Sequence, residues 1–104
     1  LPISDLILGD ADGTSASPGL SESTLHILEG NGYSVAHNHP FKGGYITRQY
    51  ARPADNRHTL QLEMTKVNYM DDTQRDWHQG RAAKMQVLLQ RNFEALIGLM
   101  AGGN

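Results

Sequence analysis

Apolar positions along the chain change their spacing several times, and each change marks an element. Leu6, Ile7 and Leu8 form an unbroken run inside residues 4–8, ended by Gly9. A run this short, bounded by a turn former, predicts a buried strand. Residues 10–19 read Asp-Ala-Asp-Gly-Thr-Ser-Ala-Ser-Pro-Gly, small and polar throughout. Such a segment is a plain connector or, at a strand end, a ligand-holding loop. Ser21 then suits a helix N-cap, with Glu22 in the first turn and Thr24, Leu25, Ile27 and Leu28 following before the Gly-Asn-Gly stop at 30–32. A second strand is predicted over 33–37, so that strand, helix and strand imply a parallel crossover.

The second half begins with a loop at 38–44, where Pro40 and the pair Gly43-Gly44 oppose regular structure. Residues 45–50 read as partly extended and 52–56 as a turn. Residues 59–65 alternate, with Leu60, Leu62 and Met64 on one face and Gln61, Glu63 and Thr65 on the other. After an irregular stretch at 69–80, an amphipathic helix is predicted over 81–100. Its core stripe is Met85, Leu89, Phe93, Leu96 and Met100, with Lys84, Arg91 and Glu94 away from it and Gly102-Gly103 as its stop. The pattern as a whole is α/β, in one domain spanning residues 1–104 without repeats.

Composition narrows the function classes. The chain has 104 residues, 38% hydrophobic and 19% charged, with a formal net charge of −2. That balance does not favour nucleic acid as a partner, since phosphate binding draws on excess Lys and Arg. No apolar run is long enough to span a bilayer, and no leader opens the sequence. There is no cysteine, which rules out thiolate metal sites within these residues and fits a cytoplasmic setting. The chain opens at Leu1, without an initiator Met, as either a trimmed domain or a piece of a longer gene would.

Several residues could carry chemistry. Glu63 sits on the polar face of the alternating segment: on solvent it would be a surface charge, in a cleft a general base. Arg48 follows the Gly-Gly pair and lies between Tyr45 and Tyr50, a setting that suits either bidentate capture of a carboxylate or a surface position on a strand edge. His37 and His39 form a His-x-His pair, which on extended backbone would face one side. Two such ligands fall short of the three a zinc site takes from protein. His26, His58 and His78 read as structural or exposed. Asp10, Asp12, Asp71 and Asp72 match no calcium-loop spacing and read as solvated acids. Met64, Met70, Met85 and Met100 read as core filler.

Five runs, taken in order, resemble the N-formylglutamate amidohydrolase family. They are Leu-Gly-Asp-Ala-Asp-Gly-Thr-Ser at 8–15, Gly-Tyr-Ser-Val-Ala-His-Asn-His-Pro-Phe-Lys-Gly-Gly-Tyr-Ile-Thr-Arg at 32–48, Tyr-Ala-Arg-Pro at 50–53, His-Thr-Leu-Gln-Leu-Glu-Met at 58–64 and Asn-Tyr-Met-Asp-Asp at 68–72. Phe-Lys-Gly-Gly-Tyr-Ile-Thr-Arg followed by Leu-Gln-Leu-Glu-Met is similar to the deformylase branch. Ala51 stands where the family usually has Gly, and Asp72 where Glu is common.

The resemblance implies hydrolysis of N-formyl-L-glutamate to formate and L-glutamate, a step of histidine degradation. It also implies a zinc-exopeptidase-like sheet with helices on both faces, truncated here on its N-terminal side. Glu63 then matches a general base, and Arg48 an anchor for a substrate carboxylate, with Tyr45, Thr47 and Asn38 as polar support. The family's metal motifs lie upstream of the matching runs, so a divalent metal, zinc by resemblance, would be held by ligands outside this chain. That argues against His37 and His39 as ligands. The partners expected are a small N-acyl amino acid and the absent N-terminal part of the enzyme. This chain by itself is expected to be inactive and, with unpaired strand edges, prone to self-association. The alternatives are an amidohydrolase for another N-acyl or N-carbamoyl amino acid, or a carboxylate-binding remnant without catalysis.

Overall fold

The computed structural model describes residues 4–102, so that Gly103, expected to help end the last helix, lies outside it. Three strands form one sheet. β1 spans Leu6–Gly9, β2 Val35–His37 and β3 Gln61–Met64, in the order β2-β1-β3. β1 runs parallel to β2, pairing Leu6 with Val35 and Leu8 with His37. It runs antiparallel to β3, pairing Ile7 with Glu63 and Gly9 with Gln61. β1 is central, which explains why it is the unbroken apolar run of the sequence.

Side chains alternate across a sheet, so this register sorts them into two faces. Leu6, Val35, Leu62 and Met64 share one face and join a core with Leu28, Met85 and Leu88. Leu28 belongs to helix α1, Pro18–Glu29, and Met85 and Leu88 to helix α3, Gln79–Ala101. The two helices pack against each other on this face. Both long helices thus lie on one side of the sheet. Ile7, Glu63, Gly9 and Gln61 look the other way, toward the 41–44 loop and a short helix α2, Tyr45–Gln49.

Three local expectations change. α1 begins at Pro18 with Ser17 as N-cap, not at Ser21. Proline at the first helical position has the fixed φ a helix needs and lacks an N–H that would go unbonded there. Glu22 thus falls beyond the first turn, and Ser21 is buried inside the helix. Residues 45–49 are helical, not extended. α3 buries Ala82, Met85, Leu88 and Asn92, whereas Phe93 and Met100 of the expected stripe are exposed. The buried Asn92 beside the exposed Phe93 shows that the packed stripe is turned one position from the expected one, and α1, at 12 residues about 18 Å long, backs only part of α3, at 23 residues about 34 Å. His78 is the N-cap of α3, its Nδ1 accepting from the Arg81 N–H at 3.0 Å.

Candidate active site

The C-terminal ends of the parallel strands β1 and β2 deliver Gly9-Asp10 and His37-Asn38 to one edge of the sheet. This is where open α/β sheets commonly gather ligand-binding loops. Asp10, read from sequence as a solvated acid, is only 2% exposed. Its Oδ1 accepts from the Gly13 N–H at 2.8 Å and from Asn38 Nδ2 at 2.6 Å. Its Oδ2 accepts from Ser21 Oγ at 2.7 Å and contacts His37 Nε2 at 2.8 Å. Burial pushes the Asp10 carboxyl up, but the hydrogen bonds from Asn38, Ser21, His37 and Gly13 outweigh it and bring the pKa down to about 2. An ionised carboxylate only accepts, so His37 donates from Nε2.

Asn38 completes this knot. Its Oδ1 accepts from the Asp10 N–H at 2.9 Å, and its own backbone is left-handed with φ 58°. Residues 11–13 are left-handed as well, with φ of 52°, 54° and 85°. Ala11 has no intrinsic reason to be there. It is held by its N–H donating to Lys42 O at 2.7 Å.

Lys42 and Gly43 pass directly over β1. A Cβ on Gly9 would lie 2.7 Å from the Lys42 carbonyl carbon and 2.8 Å from the Gly43 nitrogen, so only glycine fits. Gly43 itself has φ 112°, and a Cβ there would meet Thr47 at 2.8 Å. These two glycines bring the Gly-Gly loop onto the face that carries Glu63.

Glu63 is half-buried, and its Oε2 is buried without a hydrogen-bond partner among the described residues. It lines a cleft of about 190 Å³ with Ser4, Ile7, Phe41, Met64 and Thr65. Arg48, Tyr45, Thr47 and Asn38 are not among its lining residues. Arg48 is exposed, its Nη1 3.5 Å from Gly43 O, and Tyr45 is exposed too. Thr47 is buried and its hydroxyl faces Gln61 Oε1 at 3.4 Å, while its carbonyl accepts from Thr59 Oγ1. Gln61 Oε1 also accepts from the Gly44 N–H at 2.9 Å. The segment bearing Arg48 is thus tied to the sheet face of Glu63 through Gln61, whereas both ends of the Asn38 amide are engaged by Asp10.

Among the described residues no group of three or more His, Asp or Glu side chains could hold a metal ion. Asp10 and His37 bond to each other, His39 is exposed, and His58 Nδ1 accepts from the Ser17 N–H at 3.0 Å. Asp12 pairs with Lys42 at 3.0 Å, and Asp72 with Arg81 at 2.8 Å. These residues do not fit a metal site.

Comparison with known proteins decides the family. The model of the N-formylglutamate amidohydrolase family matches residues 2–70. The chain belongs to this family. The N-formylglutamate deformylase of Pseudomonas putida is 38% identical over 95 residues, covering 89% of this chain and 36% of that protein. The deformylase of Pseudomonas aeruginosa is 39% identical over 69 residues, 65% of this chain and 26% of the relative. The crystal structure of N-formylglutamate amidohydrolase from Ralstonia eutropha JMP134 superposes with a TM-score of 0.83 at 34% identity, covering 98% of this chain and 36% of that one. This member of the amidohydrolase family thus spans only about a quarter to a third of the relatives it matches. No helix among the described residues is long and apolar enough to cross a membrane.

Proposed function

We propose that the complete amidohydrolase hydrolyses N-formyl-L-glutamate to formate and L-glutamate, with Glu63 as general base and acid and Arg48 as the anchor for a substrate carboxylate. The observation that carries this reading is the buried Oε2 of Glu63, unpartnered among the described residues, in a cleft on the face to which the Arg48 segment is tied. A buried carboxylate oxygen without a donor is costly to keep, and function is a common reason for keeping one. The family match and the deformylase relatives supply the reaction.

In this reading Glu63 takes a proton from water as the water oxygen attacks the formyl carbon. It returns that proton to the glutamate nitrogen as the C–N bond breaks. Arg48 pairs with a carboxylate of the glutamyl part and fixes where the formyl group lies. Tyr45 is free to reach substrate from the same short helix, whereas Thr47 and Asn38 contribute by holding the backbone. The divalent metal, zinc by resemblance, belongs to this proposal with ligands outside the described residues. So do the zinc-exopeptidase-like extension of the sheet, the upstream part of the enzyme as partner, and the cytoplasmic setting.

L-Glutamate release by the full-length enzyme from N-formyl-L-glutamate and from N-acetyl-L-glutamate tests the reaction. Formyl substrate is expected to be preferred; equal turnover of the two would overturn the deformylase assignment. The purified 104-residue chain is expected to release no formate.

A further inference from the structure

The short helix that carries Arg48 cannot place itself. α2 has five residues, and an isolated helix of that length is not stable in water. Its N-cap is Gly44, which has no side chain with which to cap. Its position must come from outside, and the bonds that supply it converge on the chain entering β3. Gln61 Oε1 accepts from the Gly44 N–H at 2.9 Å and from Thr47 Oγ1 at 3.4 Å. The Gly44 carbonyl in turn accepts from the Arg48 N–H at 3.2 Å. One peptide step therefore links the Gln61 amide to the backbone of Arg48.

The other end of this link is the strand of Glu63. Gln61 and Glu63 lie two residues apart on the same face of β3, about 7 Å along the strand. Thr59 adds a second tie through its hydroxyl to the Thr47 carbonyl. Across the sheet, Gly9 and the bond from Ala11 to Lys42 hold the preceding loop.

From this linkage we infer that Gln61 is a positioning residue: it fixes the Arg48 helix against the strand of Glu63, and so sets substrate affinity through Arg48 without touching the reacting atoms. The inference rests on the roles proposed above for Glu63 and Arg48.

The test is a double-mutant cycle in the full-length enzyme, with KM and kcat measured on N-formyl-L-glutamate. Gln61→Leu, close in volume but without the acceptor, is expected to raise KM about tenfold and to change kcat less than about threefold. In an Arg48→Ala background the same change is expected to raise KM by less than about twofold, because the group it positions is gone. Gln61→Glu, which keeps the acceptor oxygen, is expected to stay within about threefold of the parent KM. An unchanged KM in Gln61→Leu, an equal factor in both backgrounds, or a Gln61→Glu enzyme as impaired as Gln61→Leu would overturn the positioning role. If Gln61→Leu does not fold, Gln61→Met, which also lacks the acceptor, takes its place in the cycle with the same expected and refuting results. Failure of the underlying reading looks different, since Arg48→Ala would then leave KM unchanged.

Discussion

Removing the Asp10 carboxylate tests the knot at the sheet edge. Asp10→Ala leaves Asn38 Nδ2, the Gly13 N–H, Ser21 Oγ and His37 Nε2 without their acceptor at a position 2% exposed. Losing charge-assisted bonds in a buried site, offset by water entering the space, is expected to cost about 4 kcal/mol at pH 7. Asp10→Asn should cost about half of that. Its remaining oxygen still accepts from Gly13 and Asn38, and its new amide donates to a rotated Ser21 hydroxyl or to the other tautomer of His37.

The pH dependence of the same variant has a definite sign. The folded pKa of Asp10, about 2, lies below its ordinary value of 3.8. The ionised form therefore stabilises the fold above pH 4, and that stability is lost as pH falls toward 2. The difference corresponds to roughly 2 kcal/mol. Urea unfolding followed by helix circular dichroism should show the gap between parent and Asp10→Ala narrowing by that amount between pH 7 and pH 2. A gap that stays constant over this range would refute the claim that the network is built around an ionised carboxylate.

Other changes probe the remaining parts. Glu63→Gln in the full-length enzyme should lower kcat by about 10²–10⁴-fold, and a loss below tenfold would remove Glu63 from its role. Gly9→Ala forces a Cβ to within 2.7 Å of the Lys42 backbone, and it should cost about 2 kcal/mol or more in thermal unfolding while also raising KM. Leu88→Ala in the core should cost about 2–5 kcal/mol, whereas Phe93→Ser, at an exposed site, should change stability by less than about 0.5 kcal/mol. Comparable losses at the two positions would restore the stripe expected from sequence.

The strands were legible because β1 and β3 obey simple patterns, a continuous run for a central strand and alternation for one with two distinct faces. The start of α1 was hidden by Ser17-Pro18-Gly19, which reads as a turn yet is a cap followed by a favoured first residue. α2 was hidden for another reason: tertiary bonds from Thr59 and Gln61 stabilise a helix that its five residues do not specify. In α3 the choice between Leu88 and Leu89, or Asn92 and Phe93, depends on where α1 crosses, and no local signal records that. Glu63 and Arg48 stood out through motif resemblance. Asp10 did not, because the partners that bury and ionise it, Ser21, His37 and Asn38, come from 11 to 28 residues away. Gln61 was visible as a polar position in an alternating strand, but its acceptor role needed the loop on top of it.

The contact between Gly9 and the Lys42-Gly43 backbone constrains what this chain can carry at position 9. Two main chains meet there with no side chain between them, so selection has no intermediate sizes to explore at position 9. Under the proposed function, a differently shaped substrate would be met by changes at the outward-facing Tyr45 and Ile46, which can vary while the Gly9 contact stays fixed.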